Sequence, residues 1–449
     1  MRANGPELKI AVIGTGIAGM SAAWLLSQAH RVTVYEQDGR IGGHTNTCQL
    51  AGPHGLVPVD MGFIVYNEAT YPNLTALFRH LGVATQESEM SFAVSARGGA
   101  LEYAGTDLGG LFAQRRNLVS PRFWSMLRDL RRFYAEAPRL LDDPDADALS
   151  IGEYLHDSGY GQAFVQDHLL PMAAAIWSTS SGRTADHPAG SFIRFCHNHG
   201  LLRVRNRPQW RTVTGGSAAY AERLTARYAE RIRIGCGATR IERHDTHVQV
   251  YDSLGGVEQY DHVVIAAHSD QALAILADPS EREAELLGAV GYGDNAAIMH
   301  TDASLMPRRR RVWSSWNYLA TQQDEPPCVT YWMNRLQSLQ TEQDIFVTLN
   351  PPREPAPGSV IHRETYAHPV LDAAAVRAQK ALWSLQGVNR TWFCGAWFGA
   401  GFHEDGLQSG LAVAETLGGV RRPWTVANES SRIHLGPIAK MPPGPVLAA

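Results

Sequence analysis

A strand, a glycine-rich turn, a helix and a second strand ending in an acid, delivered in that order by residues 9–36, predict an α/β fold. Its first domain is then a Rossmann-type parallel sheet flanked by helices. At 449 residues the chain is too long for one core. A second strand, glycine and helix unit near residue 400 repeats the N-terminal logic. The nucleotide domain is therefore expected to be interleaved with an α+β substrate domain.

The elements follow in order. Lys9–Ile13 reads as a short buried strand, Ile17 to about Gln28 as a helix, and Arg31–Tyr35 as the second strand. Between the first two lies Gly14-Thr15-Gly16-Ile17-Ala18-Gly19. Gly14 permits the tight turn, Gly16 lets backbone approach a pyrophosphate, and Gly19 lets the helix pack closely on the strand. Ile17 and Ala18 open a helix whose free N–H groups and dipole face the phosphates. Glu36 stands where a ribose-binding acid is expected and would repel a 2′-phosphate, with Gln37 beside it.

Arg40-Ile41-Gly42-Gly43-His44-Thr45 follows the acid, and its glycine pair lets the chain pass close to a large cofactor. This arrangement resembles the flavin amine oxidase and phytoene desaturase superfamily, and the resemblance implies non-covalent FAD and an amine-oxidase-like fold. His44 stands where that pattern has arginine, so the charge there is weaker or pH-dependent, and Arg40 is left to balance the diphosphate. Val59–Val65 is similar to the strand that skirts the flavin pyrimidine edge, which implicates Gly62, Phe63 and Ile64. Ala238, three residues before Ile241, matches the place of an adenine contact. Ala266, in the small-residue end of the run Val263–Ala267, suits a buried strand against the cofactor.

Domain boundaries follow. Residues 1–90, 206–275 and 385–424 are expected to form the FAD-binding domain, 91–205 and 276–384 the substrate domain, and 425–449 a Pro-rich, loosely held tail. Near Trp210 the nucleotide domain resumes with a helix at 218–229 and a strand pair, Arg231–Gly235 and Val248–Tyr251. In the substrate domain Trp313, Trp316, Tyr318, Tyr331 and Trp332 suggest as a group a large apolar pocket, though each alone fits core packing. Between Gln114 and Phe133 six arginines face one acid, Asp129, with Leu118, Phe123 and Trp124 interleaved. That spacing resembles an interfacial membrane helix. An ordinary solvated amphipathic face is the preferred reading, and the run Arg308–Arg311 admits the same pair.

Near the C-terminus a strand reaches Cys394, and Gly395-Ala396-Trp397 with Gly399–Gly410 leads into a helix. Its start at Asp405, Gly406 and Leu407 is expected to aim N–H groups at the flavin N1/C2=O edge. Two departures from the superfamily stand out: Ala396-Trp397 replaces the acid after the glycine, and the chain holds only Lys9, Lys380 and Lys440, none placed for a lysine contact to flavin N5. His403, Glu404 and His44 are the candidate titrating groups. His403 fits packing over the flavin as well as it fits chemistry, and Glu404 and Asp405 fit helix capping better than proton transfer. Trp397 and Trp177 are candidate pocket walls.

Longer strings, Val59–Asn67, Tyr71–Leu74, Pro171–Ser178, His300–Asp302 and Gly401–Gly406, resemble a bacterial NAD/FAD-binding oxidoreductase family associated with cyclopropane-fatty-acyl-phospholipid synthases. The resemblance covers residues ~8 to ~420. It implies dehydrogenation or oxidation of a lipophilic substrate, such as a methylated acyl chain of a phospholipid. A lipid-modifying partner enzyme and peripheral contact with an anionic membrane are further implied. An amine oxidase, and a flavoprotein supporting a partner without turnover, remain the alternatives. With no second GxGxxG for a nicotinamide, oxygen or a quinone is the expected acceptor.

Composition sets the remaining bounds. A net charge of −4 gives no reason to expect a nucleic-acid partner. Five scattered cysteines without a CxxC pair disfavour disulfides and zinc and fit a reducing cytosol, possible attachment being peripheral to the inner membrane face. The uncharged stretch Ile10–Ala29 is broken by the fingerprint glycines and is not read as a membrane span.

Overall fold

The computed structural model describes residues 6–143, 145–177, 185–203, 206–320 and 328–437. Ser178 and residues 438–449 of the tail lie outside it, and the side chain of Trp177 is not described.

Five parallel strands form the central sheet, in the order Ile232–Arg233, Arg31–Tyr35, Lys9–Ile13, His262–Ile265, Thr391–Phe393. Both faces are covered, so the inner strands carry unbroken apolar runs such as Ile10–Ile13 and Val263–Ile265. Every residue of the helix Ile17–Leu26 is buried. It packs against the last helix, His403–Gly418, and the contact depends on small residues: a Cβ on Gly410 would lie 2.2 Å from the Ala18 carbonyl oxygen. The two glycine-led units at opposite ends of the chain are thereby brought side by side.

The second region is built on a mixed seven-stranded sheet. Its order is Val360–Val370, Gly291–His300, Phe346–Leu349, Cys328–Trp332, Trp316–Leu319, Phe92–Ala96, Leu101–Ala104. Only the pairing of Trp316–Leu319 with Phe92–Ala96 is parallel. Helices from Pro121–Glu136 to Ala189–Asn198 pack beside it around Phe133, Phe164 and Phe192. One turn among them, Val165–Leu169, is a π-helix that brings Asp167 and His168 to the buried side.

Three expectations are corrected. The first helix stops at Leu26, because residues 27–30 turn back to begin Arg31–Tyr35. Arg231–Gly235 and Val248–Tyr251 do not pair. Ile232–Arg233 joins the parallel sheet, the chain turns at Gly235 (φ +65°), and Val248–Asp252 becomes the centre of an antiparallel meander with Ala238–Arg243 and Val257–Tyr260. Part of the described tail is anchored rather than loosely held. Ile433 enters the main core, and the half-buried Arg432 guanidinium bonds to the Thr70 carbonyl and pairs with Asp405 at 3.5 Å.

Candidate active site

A cavity of about 730 Å³ runs from the first glycine turn into the second region. That volume falls within the roughly 300–1,000 Å³ of small-molecule and cofactor sites. Its nucleotide arm begins at Gly14-Thr15-Gly16. Gly14 (φ +98°) has no room for a Cβ, which would sit 3.0 Å from the Ala266 carbonyl oxygen, and one on Gly19 would sit 2.0 Å from that of Gly14. Gly16 differs. A Cβ there would meet no protein atom within 4 Å, and the residue lines the cavity. The turn is therefore tight where helix meets strand and vacant where a phosphate would approach.

Glu36 ends its strand in the cavity wall. Its carboxylate accepts from the Thr15 amide at 2.9 Å, from the Thr15 hydroxyl and from the Asp38 amide at 2.9 Å, so a ribose would meet an acid already held in place. Gln37, Ala238 and Ala266 line the same end. Gly42 (φ +111°) donates to the Thr15 hydroxyl at 3.1 Å, and Gly43 packs so close to Gly16 that a Cβ would fall 3.1 Å from its Cα. The Phe63 amide donates to the His44 carbonyl at 2.8 Å, and Gly62 makes this possible, since a Cβ on it would overlap that carbonyl at 2.0 Å. Gly62, Phe63 and Ile64 thus form a second cavity wall zipped to the first.

Arg40 is less free than expected. Its guanidinium donates to the Gly43 carbonyl at 2.7 Å and the Thr45 carbonyl at 3.2 Å and lies 3.8 Å from Glu364. It fastens the loop as much as it offers charge. His44 presents an exposed face to the cavity while its ring tilts against Tyr366 at 4.4 Å and His368 at 5.2 Å. Desolvation first, and then His368, His403, His268 and Arg40, hold its imidazole well below the ordinary histidine range. His368 is pushed down to about 4, mainly by burial, and His268 is lowered for the same reason. At neutral pH these rings carry no charge.

His403 opens the last helix and lines the cavity. Its ring stacks on Phe63 at 3.8 Å and 11°, and its Nε2 meets the Tyr220 hydroxyl at 2.7 Å and the Thr45 hydroxyl at 3.3 Å. Burial lowers its pKa to about 3, so the ring is neutral, fixed and a weak base. Gly395, Ala396 and Trp397 also line the cavity, and the Trp397 indole is held by its N–H to the Ala267 carbonyl at 3.1 Å.

Glu404, Asp405, Gly406 and Leu407 are not part of the lining. Glu404 instead caps a different helix, Pro72–Leu81: its two oxygens accept from the Asn73 and Leu74 amides, each at 3.0 Å, and from the Asn73 and Gln408 side chains. Asp405 caps its own helix through the Phe402 amide at 2.8 Å. Burial raises its pKa to about 6, against the pull of Arg432. Gly406 gives clearance to Ile17, and Leu407 is core. The helix that meets the cavity therefore starts at His403, two residues before the expected Asp405.

The substrate arm is walled by Tyr71, Phe92, Tyr103, Met172, Phe195 and Trp210, among others. Trp316 and Tyr331 line it edge to face at 5.4 Å, whereas Trp313 and Trp332 pack with Phe346 and Tyr318 joins the Tyr103 cluster. His168 and His199, lowered by burial to about 4 and about 3, add two neutral rings. Among the described residues the charged side chains on the cavity are Glu36, Asp38, Arg40, Glu364 and Arg207. Only Arg207, itself exposed, belongs to this arm. Among the described residues no cysteine and no lysine lines the cavity.

Sequence reasoning missed Tyr220, Thr15, Tyr366, His368 and His268. His268 follows the Ala266-Ala267 pair directly and was findable; Tyr220 and the strand pair Tyr366/His368 carry no local signal.

The profile of the family described as "Flavin containing amine oxidoreductase" matches residues 17–417. A flavin-containing monoamine oxidase of Mycobacterium tuberculosis, AofH, provisionally so named, is 28% identical over 284 residues. That match spans 60% of this chain and 59% of the relative, so little more than half of the relative's length is represented. A putrescine oxidase solved with putrescine superposes with a TM-score of 0.67 at 14% identity, over 92% of this chain and 99% of that one. A fatty acid isomerase from P. acnes that produces CLA does so with 0.66 at 16%, over 92% and 99%. At such identities the likeness is one of fold.

Proposed function

From the premise that this chain belongs to the flavin-containing amine oxidoreductase family, and is an FAD-dependent oxidoreductase, we propose that it oxidises a lipophilic substrate such as an acyl chain. The acyl chain of a phospholipid, methylated in the reading that associates the chain with cyclopropane-fatty-acyl synthesis, is the substrate class in view. The observation that carries the proposal is the substrate arm itself. Apart from His168, His199 and Arg207 it is aromatic and aliphatic, and among the described residues it offers no carboxylate to an ammonium group. The one acid on the neighbouring strand, Glu364, already faces Arg40 and accepts from Asn46 at 3.1 Å. Burying an unpaired ammonium there would be strongly unfavourable.

The bound flavin supplies the two-electron acceptor, and oxygen or a quinone-type acceptor would take the electrons on. The chain supplies position. Gly16 and the dipole of helix Ile17–Leu26 would receive the diphosphate, Glu36 the ribose, and the wall of His44, Phe63 and His403 the ring system. Trp397, fixed by Ala267, closes one side, and the apolar arm excludes water from the reacting carbon. His403, with its pKa near 3, is too weak a base for proton abstraction at neutral pH, so alignment and a dry pocket carry the rate. Among the described residues no cysteine lines the cavity, and a non-covalent flavin is expected to leave the protein on acid precipitation; yellow colour in the pellet would refute this.

Oxidation of an amine is the second reading, favoured by the names of AofH and putrescine oxidase. Anaerobic mixing separates the two. Bleaching of the flavin by acyl phospholipid supports the proposal and bleaching by amines the alternative. Bleaching by neither would leave a flavoprotein that assists a lipid-modifying enzyme without turnover.

A further inference from the structure

We propose that the surface formed by residues 108–131 and the Arg308–Arg311 turn docks this protein on an anionic lipid bilayer. The helix Pro121–Glu136 does not lie on a membrane by its apolar face, because Phe123, Met126 and Phe133 point into the protein. What remains outside is unusual in another way. Leu108 is 74% exposed, Val119 81%, and Leu118 and Trp124 50% each. Trp124 ties part of this set together: its indole donates to the Leu118 carbonyl at 2.8 Å and its ring lies 5.6 Å from Phe112. Clustered exposed apolar side chains of this kind mark interaction sites rather than ordinary surface.

The charge around them is mostly positive, with Asp107, the exposed cap of the helix Leu108–Leu111, as an acid at the edge. Arg115, Arg116, Arg131, Arg308 and Arg311 are exposed, and among the described residues none has an ion-pair partner. The two stretches are one surface: the short helix Leu108–Leu111 packs on residues 310–312, where the Arg311 guanidinium lies over Gly109. The only acid in the arginine-rich stretch, Asp129, is buried and accepts from the Gly161 amide at 3.0 Å. Uncompensated guanidiniums interleaved with leucine, valine and tryptophan complement a bilayer interface, which offers anionic headgroups above an apolar layer. In a chain of net charge −4 this asymmetry is local.

The surface also stands one layer from the cavity. Phe123, beneath Trp124, packs edge to face on Tyr103 at 5.5 Å, and Tyr103 lines the substrate arm. Arg122 bonds Asp167 at 2.8 Å beside the cavity-lining His168. Docking would bring the arm close to an acyl substrate, but it does not depend on the redox reading, and its test is separate.

Co-sedimentation at low salt with vesicles of phosphatidylcholine, and of phosphatidylcholine with phosphatidylglycerol, tests it. The protein is expected to pellet with the anionic vesicles only and to be released by salt. Arg115→Gln, Arg116→Gln and Arg131→Gln together should weaken partitioning on the order of a hundredfold, about fivefold for each charge. Trp124→Ser with Val119→Ser should weaken it without changing the salt dependence. All five positions are exposed, and an unchanged melting temperature checks that the variants fold. A supernatant protein at low salt, equal binding to both vesicles, or equal affinity for single-stranded DNA would overturn the proposal.

Discussion

Gly16 and Gly19 belong to one fingerprint, yet the structure assigns them separable tasks, and alanine substitution should split them. At Gly16 the backbone (φ −60°, ψ 171°) suits any residue, and the added methyl meets no protein atom. Gaining alanine is worth about 0.4–1 kcal/mol where the backbone tolerates it. Losing glycine at the N-cap costs about as much. The FAD-free protein should therefore melt within roughly 2–4 °C of wild type. In the proposed binding mode the same methyl would occupy the phosphate approach. If it weakens FAD a hundredfold, or about 2.7 kcal/mol, an FAD concentration of 100 Kd that stabilises wild type by about 2.7 kcal/mol would stabilise the variant by only ~0.4 kcal/mol. Gly19→Ala reverses the pattern: its Cβ would sit 2.0 Å from a backbone oxygen that cannot yield, and overpacking of this kind costs about 1–3 kcal/mol or more. Thermal melts with and without FAD read both quantities. Equal destabilisation of the two FAD-free variants, or an undiminished FAD-induced shift in Gly16→Ala, would refute the assignment.

Glu404→Gln should cost about 1–3 kcal/mol by denaturant titration, because the amide oxygen can keep the Asn73 and Gln408 donors while its NH2 opposes the Leu74 N–H, and kcat per folded molecule stays near wild type. Arg432→Ala leaves the buried Asp405 carboxylate without its cation and should destabilise by about 3–5 kcal/mol, whereas a loosely held tail would lose nothing. The pH dependence of the FAD-free protein follows from His168, His199, His300, His368 and His403, whose folded pKa values lie near 3 to 4, below the unfolded value near 6.5. The unfolded chain binds these protons first, so stability is full above pH 6.5 and falls toward pH 4, by up to about 1.4 kcal/mol per pH unit for each ring. Asp60 and Asp405, raised to about 6, oppose this between pH 6 and 3.8 but are fewer, so melting temperature should drop steeply below pH 6. A flat profile from pH 7 to 5 would contradict the burial of these rings.

What sequence made legible was local. Gly14 to Gly19 and Glu36 lie within one strand-helix-strand unit, so spacing alone conveys their geometry, and Gly42, Gly43 and Gly62 declare themselves by the close backbone approaches only glycine allows. What stayed hidden was long-range. His403 is defined by Phe63, Thr45 and Tyr220, partners 183 to 358 residues away for its two hydrogen bonds. Glu404 reads as a first-turn acid of its own helix, and nothing near it announces that it serves the amides of Asn73 and Leu74. The mispaired strands fail for the same reason: Ile232–Arg233 takes its place from the edge of Arg31–Tyr35, two hundred residues upstream.

The departures at His44 and Arg40 bear on how the diphosphate is held. The arginine of the superfamily pattern is absent at position 44, and the guanidinium that remains is committed to two carbonyls and to Glu364. The histidines around the cavity are neutral because burial outweighs every favourable contact they have. Side-chain charge is thus scarce where two phosphates must be accommodated, and the remaining source of positive potential is backbone. The helix Ile17–Leu26 has no acid in its first turn to blunt its dipole, and Gly16 leaves its N–H face uncovered. A cofactor bound this way depends on the shape of the turn more than on ionic attraction, which makes a single methyl at Gly16 a sharper perturbation than the loss of a nearby charge.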